Sequence, residues 1–346
     1  MKDTMKEVVI IGPKQYEIRE VPVPAPGNNE VLVQMKAAGV CGSDIHQFLG
    51  ENPNTMFPRI PGHENVGIVV ACGADVKNIK VGDHVVVDLV VACGECPQCK
   101  KGRRNVCRTV KARGAAIDGG WREYFAVPEH EVYLLPQDMP FKDAALIEPF
   151  AIGGHCTTRA GIQGGESVLV LGSGTIGAVI LQTLKLKGCR VICADINDDS
   201  LARAQKYGAD AVVNTKKENL KDAVQKFTDG AGVDVIFDSA CYPGSLTAVL
   251  EMGIPANGAT VVPMGFCTAQ EGITQAMINT RELSIIGTRM SCNQFQPTIE
   301  RFAKHEYQLD GMVSHYIPFS QVGQVFENII HPPKNMKKMV IVFDEE

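Results

Sequence analysis

The stretch Val168-Leu169-Val170-Leu171-Gly172-Ser173-Gly174-Thr175-Ile176-Gly177 decides the fold. Four apolar residues read as a buried strand, the glycine-rich run as a tight turn, and the pattern from Ile176 to Lys187 as the helix that the turn opens. In a turn of the form G-x-G-x-x-G, the first glycine permits the bend and the second lets backbone approach a pyrophosphate. The third lets helix and strand pack closely. The helix N-terminus adds unpaired N–H groups and the positive end of its dipole. Gly172, Gly174, Thr175, Ile176 and Gly177 are therefore candidate cofactor residues, and the plain alternative is a structural βα turn. Asp195 closes the next apolar run, Arg190 to Ala194, where a carboxylate would accept hydrogen bonds from the adenosine ribose. Its charge would repel a 2′-phosphate and no Arg or Lys follows at once, so NAD is expected rather than NADP.

Outward from this turn, strand-like runs alternate with helical patterns. Helices are expected at Asp199 to Tyr207, Lys217 to Phe227 and Gly244 to Met252, with strands at Ala211 to Val213, Val233 to Asp238, Thr260 to Val262 and Leu283 to Ile286. Such alternation implies parallel βαβ units in a doubly wound sheet. Before about residue 140 the texture differs. Short apolar runs (Val8 to Ile11, Tyr16 to Val21, Glu30 to Lys36, Asn65 to Ala71, His84 to Val91) are broken by Pro22, Pro24, Pro26 and Gly27, which favours a β-rich, barrel-like domain. The last sixty or so residues read as helix, strand, helix, strand and are expected to return to that first domain. With 346 residues, two domains sharing a cleft fit better than one core.

A net charge of −5 gives no footprint for a polyanion, so nucleic acid is disfavoured as a partner. The chain opens with no leader-like pattern and has no long apolar run, so it is expected in the cytoplasm and away from the membrane. In that reducing setting, clustered cysteines suggest metal before disulfides.

Four of the twelve cysteines, Cys93, Cys96, Cys99 and Cys107, are spaced C-x2-C-x2-C-x7-C in a loop with Gly94, Pro97 and Gly102. Four thiolates close the sphere of a structural Zn²⁺. An iron–sulfur cluster uses the same ligands, and a zinc-ribbon nucleic-acid module is a further reading that the acidic balance disfavours. A second, discontinuous constellation joins Cys41-Gly42-Ser43-Asp44-Ile45-His46, Gly62-His63-Glu64 and Glu148-Pro149. Thiolate, imidazole and carboxylate suit a catalytic zinc that keeps one position open. Each of these residues taken singly is an ordinary packing or capping residue. The remaining seven cysteines are expected to be packing residues.

These motifs, with Pro61 before Gly62, Asp118-Gly119-Gly120 and the glycine turn, resemble the zinc-dependent medium-chain alcohol and polyol dehydrogenases along essentially the whole chain. The resemblance implies a GroES-like catalytic domain (1–148 and 288–346) split by a Rossmann domain (149–287), two zinc ions per subunit, NAD, and a homodimer or homotetramer. Cys41, His63 and Glu64 would bind the catalytic zinc, with Glu148 reaching it directly or through water. Ser43 and His46 resemble the proton relay, and Gly265 and Phe266 would join the cofactor site. Glu-Pro at 148–149 looks like the polyol, sugar-acid and threonine branch. Arg289 looks like the arginine presented to a polyhydroxylated substrate, although a structural ion pair is the plain alternative. Gln47, where sorbitol enzymes tend to carry an aromatic residue, argues against sorbitol. With Phe150-Ala151-Ile152 and Asn293, the pattern reads most like hexonate 5-dehydrogenases acting on L-idonate, L-galactonate or L-gulonate. Threonine or short-diol oxidation, and an idle NAD-sensing scaffold, are the alternatives.

Overall fold

A computed structural model describes residues 2–52 and 55–343. The chain divides into two compact units, one of residues 1–148, 295–305 and 309–346, the other of residues 149–294 and 306–308.

The first unit opens with a hairpin of β1 (Thr4–Gly12) and β2 (Gln15–Pro22), followed by β3 (Glu30–Val40), β4 (Glu64–Cys72) and β5 (His84–Val87). Two short strands, β6 (Val90–Val91) and β7 (Lys111–Ala112), pair with each other on either side of the four-cysteine loop. After these come β8 (Tyr124–Pro128) and β9 (Val132–Leu134). The run His84 to Val91, expected as one strand, is broken. The buried Asp88 carboxylate accepts from the Val90 N–H at 2.9 Å, and the Asp88 N–H leaves for the Glu131 carbonyl, so the ladder cannot continue.

The second unit carries β10 (Ser167–Leu171), β11 (Arg190–Asp195), β12 (Ala211–Asn214), β13 (Val233–Asp238), β14 (Pro255–Pro263) and β15 (Ser284–Ile285). They form one parallel sheet in the order β12-β11-β10-β13-β14-β15. That order is the doubly wound Rossmann arrangement, and its direction reverses between β10 and β13. Val168 to Leu171 and Val191 to Ala194 are buried along their whole length, as strands covered on both faces must be. The helix expected from Lys217 begins at Leu220, because the Asn219 side chain caps it and residues 216–218 are turned back onto Asn214.

The chain then supplies β16 (Val313–Pro318) and β17 (Lys338–Val342) to the first unit, whose large sheet runs β16-β17-β3-β4-β5-β9. The first half of β3 pairs with β8 and its second half with β17, and the ladder with β4 carries one bulge at Lys36 of β3 and one at Val70 of β4. This curls the sheet around a core that includes Val33, Met35, Phe48, Trp121, Phe125 and Ile341. The fold class is thus the one expected. Residues 288–294, assigned in the sequence to the first domain, group with the second unit. Thr288 lies 3.5 Å from Cys156 through their side chains, and Gln294 packs on Gly154, both on the helix Ile147–Arg159. No helix among the described residues is long and apolar enough to cross a membrane.

Candidate functional site

Two clusters in the first unit bring metal-ligating atoms within 4.8 Å of one another: Cys41, His63 and Glu64, and the four cysteines. Strand register builds the first cluster. Val40 ends β3 and Cys41 follows as the residue preceding the helix Gly42–Leu49, while Gly39 lies opposite Glu64 at the start of β4. A side chain at position 39 would strike Glu64 Oε2 at 1.7 Å, so the glycine makes room for this carboxylate.

His63 is set by the loop before β4. Gly62 has φ +94° and lies under the Trp121 indole, where a Cβ would come within 2.1 Å of the ring. The Asp118-Gly119-Gly120 strap backs the same loop. Gly119 and Trp121 donate to the Ile60 and Pro61 carbonyls, and Gly120 donates to that of Gly62. Neither Gly119 nor Gly120 could carry a side chain without meeting Gly62, Pro61 or Asn65. Trp121 is wholly buried, consistent with a packing role.

Buried Asp44 ties the pieces together. Its carboxylate accepts from the Cys41 N–H at 2.8 Å and the Gly62 N–H at 3.2 Å, and it faces His63 Nδ1 at 3.8 Å. Burial pushes the Asp44 carboxyl up. Burial works against a charged His63, yet the Asp44, Cys41 and Glu148 groups around it outweigh that and hold it well above its usual range. Glu148 is pushed up to about 8, first by burial and also by Glu64. A pocket of acids and a thiol that draws protons onto its imidazole and carboxyl is short of positive charge. Glu64 Oε2 is buried without a hydrogen-bond partner. The donor set therefore fits a divalent cation bound by one thiolate, one imidazole and one carboxylate, with Glu148 as a further acid beside them.

Sequence reasoning missed Lys338. Its ammonium, 4% exposed, sits 2.5 Å from Glu64 Oε1. Met339 opposite Val40 brings it to the end of β3. The signal was a lysine opening an otherwise apolar run, which a solvated strand end also shows. Ser43 and His46 lie three residues apart on the exposed side of the helix Gly42–Leu49. His46 Nδ1 is 2.6 Å from Glu51, a partner not foreseen.

In the second cluster Cys96 and Cys99 have sulfurs 3.6 Å apart, and Cys93 and Cys107 have theirs 3.4 Å apart. A zinc tetrahedron with bonds of about 2.3 Å has edges of roughly 3.8 Å, so the spacing suits it. The Cys93 and Thr109 N–H groups point at the Cys107 sulfur and pull its thiol down to about 6. All four are free of disulfides.

In the second unit, Gly172 has φ +83° and Gly177 would meet the Gly172 carbonyl at 1.9 Å if it bore a Cβ, whereas Gly174 faces open space. Thr175 and Ile176 begin the helix Thr175–Leu186. Asp195 accepts from the Ser173 N–H at 2.6 Å and from the Asn197 N–H at 2.8 Å, so it pins the turn. Gly265 is packed against the Cys241 side chain, and Phe266 is 88% exposed. Arg289 lies on an exposed segment of this unit, just before Met290, whose φ is +50°.

Residues 27–137 match the family described as alcohol dehydrogenase GroES-like domain, and residues 175–304 match that described as zinc-binding dehydrogenase. The chain is 35% identical to the Starvation-sensing protein RspB of Escherichia coli K12, over 99% of this chain and all of that protein. It is 30% identical to the L-galactonate-5-dehydrogenase of the same organism, over 98% of this chain and 99% of the enzyme. Among solved structures, RspB from E. coli CFT073, complexed with NADH, superposes with a TM-score of 0.92 at 33% identity, covering 99% of this chain and 100% of the other.

Proposed function

The chain belongs to the zinc-dependent medium-chain alcohol and polyol dehydrogenase family, and from that premise we propose that it oxidises a secondary hydroxyl of a sugar acid or polyol with NAD. The best substrate class is a hexonate attacked at carbon 5. The observation that carries this reading is the electron-rich cluster of Cys41, His63, Glu64 and Glu148, with a glutamate where simple alcohol dehydrogenases usually carry a cysteine. The L-galactonate-5-dehydrogenase relative supports the substrate class.

Cys41, His63 and Glu64 would hold the catalytic zinc, and Cys93, Cys96, Cys99 and Cys107 the structural one. Zinc supplies Lewis acidity toward a hydroxyl oxygen, and NAD supplies the hydride acceptor. Asp44 keeps His63 oriented and anchors the Cys41 backbone. Ser43 takes the hydroxyl proton toward His46, and His46 hands it to solvent beside Glu51. Gly172 to Gly177 receive the pyrophosphate and Asp195 the adenosine ribose, and Gly265 and Phe266 join the cofactor site. Arg289 orients a hydroxyl or carboxylate of the substrate. Asp195 favours NAD over NADP by repelling a 2′-phosphate. The same reading makes the protein a cytoplasmic homodimer or homotetramer.

NADH formation followed across hexonates, alditols, threonine and simple alcohols tests the proposal. A hexonate is expected to give the highest kcat/KM. A preference for threonine or ethanol would reject the sugar-acid reading, and NADP far outperforming NAD would reject the role of Asp195.

A further inference from the structure

The dinucleotide turn is held from beneath by a residue that no motif singled out. Asp195 ends β11 and accepts from the Asn197 N–H, and Asn197 caps the helix Asp198–Lys206 by accepting from the Asp199 and Ser200 N–H groups. This fixed start delivers Arg203 to the inner face of the helix, where it is 7% exposed. Its Nη2 donates to the Ser173 carbonyl at 2.7 Å, while its Nε is buried without a partner. Burial disfavours the guanidinium charge and holds Arg203 below its usual range, with Tyr207 and Asp195 offsetting only part of that. Such a position, on the buried side of an amphipathic helix, ordinarily takes an aliphatic residue.

Ser173 is thereby clamped at both ends, its N–H by Asp195 and its carbonyl by Arg203. The peptide joining Ser173 to Gly174 is planar and trans, so its C=O and N–H point in opposite directions. With the carbonyl fixed inward on Arg203, the Gly174 N–H must point outward, at a residue that is exposed and has open space around its Cα. A cation on the carbonyl also polarises that peptide and makes its N–H a stronger donor.

We infer that Arg203 is a positioning residue for the dinucleotide: by gripping the Ser173 carbonyl it presents the Gly174 N–H to the pyrophosphate. This inference rests on the dinucleotide reading of the glycine turn.

Calorimetric titration of the full chain with ADP-ribose, and with adenosine by displacement of NADH, separates the pyrophosphate contact from the rest. Arg203→Met, which keeps the stem volume and removes the donor, is expected to weaken ADP-ribose by about tenfold or more, the cost of one charge-assisted hydrogen bond. Adenosine affinity is expected to stay within about twofold, and the KM for NAD to rise while that for the hydroxyl substrate stays put. If Arg203→Met does not fold, Arg203→Gln carries the test with the same split and a smaller, several-fold loss. Unchanged ADP-ribose binding, or equal weakening of ADP-ribose and adenosine, would overturn the role of Arg203. Failure of the unaltered chain to bind ADP-ribose would overturn the dinucleotide reading beneath it.

Discussion

Lys338 and Glu64 form a buried ion pair whose two members do different jobs. One oxygen of Glu64 is taken by the ammonium, and the other is buried with no hydrogen-bond partner. Removing one partner of a buried pair strands the other, at a cost of about 3–5 kcal/mol. Lys338→Met should therefore destabilise the metal-free protein far more than the zinc-loaded one, because a bound cation neutralises the stranded carboxylate. Melting temperatures of Lys338→Met and the unaltered protein, each with and without zinc, check this, and a zinc-independent difference would speak against it. At this scale the meeting of Cys41, His63 and Glu64 was legible because their residue types are rare together. Asp44, Lys338 and Arg203 were not, because a buried charge and a solvated one look alike in a sequence until the register of neighbouring strands is known.

Elements show the same contrast between local and distant causes. Local spacing made the four-cysteine lobe readable, and the short helix Pro97–Lys100 carries Cys99 into it. Cys99→Ser is expected to lower the zinc content by one ion per chain and to lower the melting temperature, with nucleotide binding retained; atomic spectroscopy and thermal scans measure both. The break between β5 and β6 was not readable, since Val85 to Val91 is apolar except for Asp88. Burial pushes the Asp88 carboxyl up to about 6 despite Val90 and Arg104 favouring its charge. An acid raised on folding binds a proton that the unfolded chain releases, so its contribution to stability is present at low pH and is lost as pH rises from near 4 through 6. Spared that loss of about 3 kcal/mol at most, Asp88→Asn should gain on the unaltered protein as the pH rises. The melting-temperature difference between the two should move in the variant's favour between pH 4.5 and 7.5, and a constant difference would contradict the assignment.

For the whole molecule, the alternation of strand and helix after residue 165 made the parallel sheet legible, because β10, β11 and β12 are built on the continuous apolar runs Val168 to Leu171, Val191 to Ala194 and Ala211 to Val213, and Asn197 and Asn219 cap helices of the same unit. The β-rich unit was legible in class but not in pairing. Its β3 serves three neighbours, and its last two strands come from far along the chain, after the whole of the parallel sheet. Both metal-ligating clusters lie in one unit and the glycine turn in the other, so the two proposed functions should be separable by mutation. One experiment tests this most directly: zinc content, NADH affinity and substrate turnover measured together on Glu64→Ala and Cys41→Ala. Loss of one zinc per chain and of turnover, with NADH binding unchanged, is the predicted result. Turnover equal to that of the unaltered protein in both variants would contradict the account.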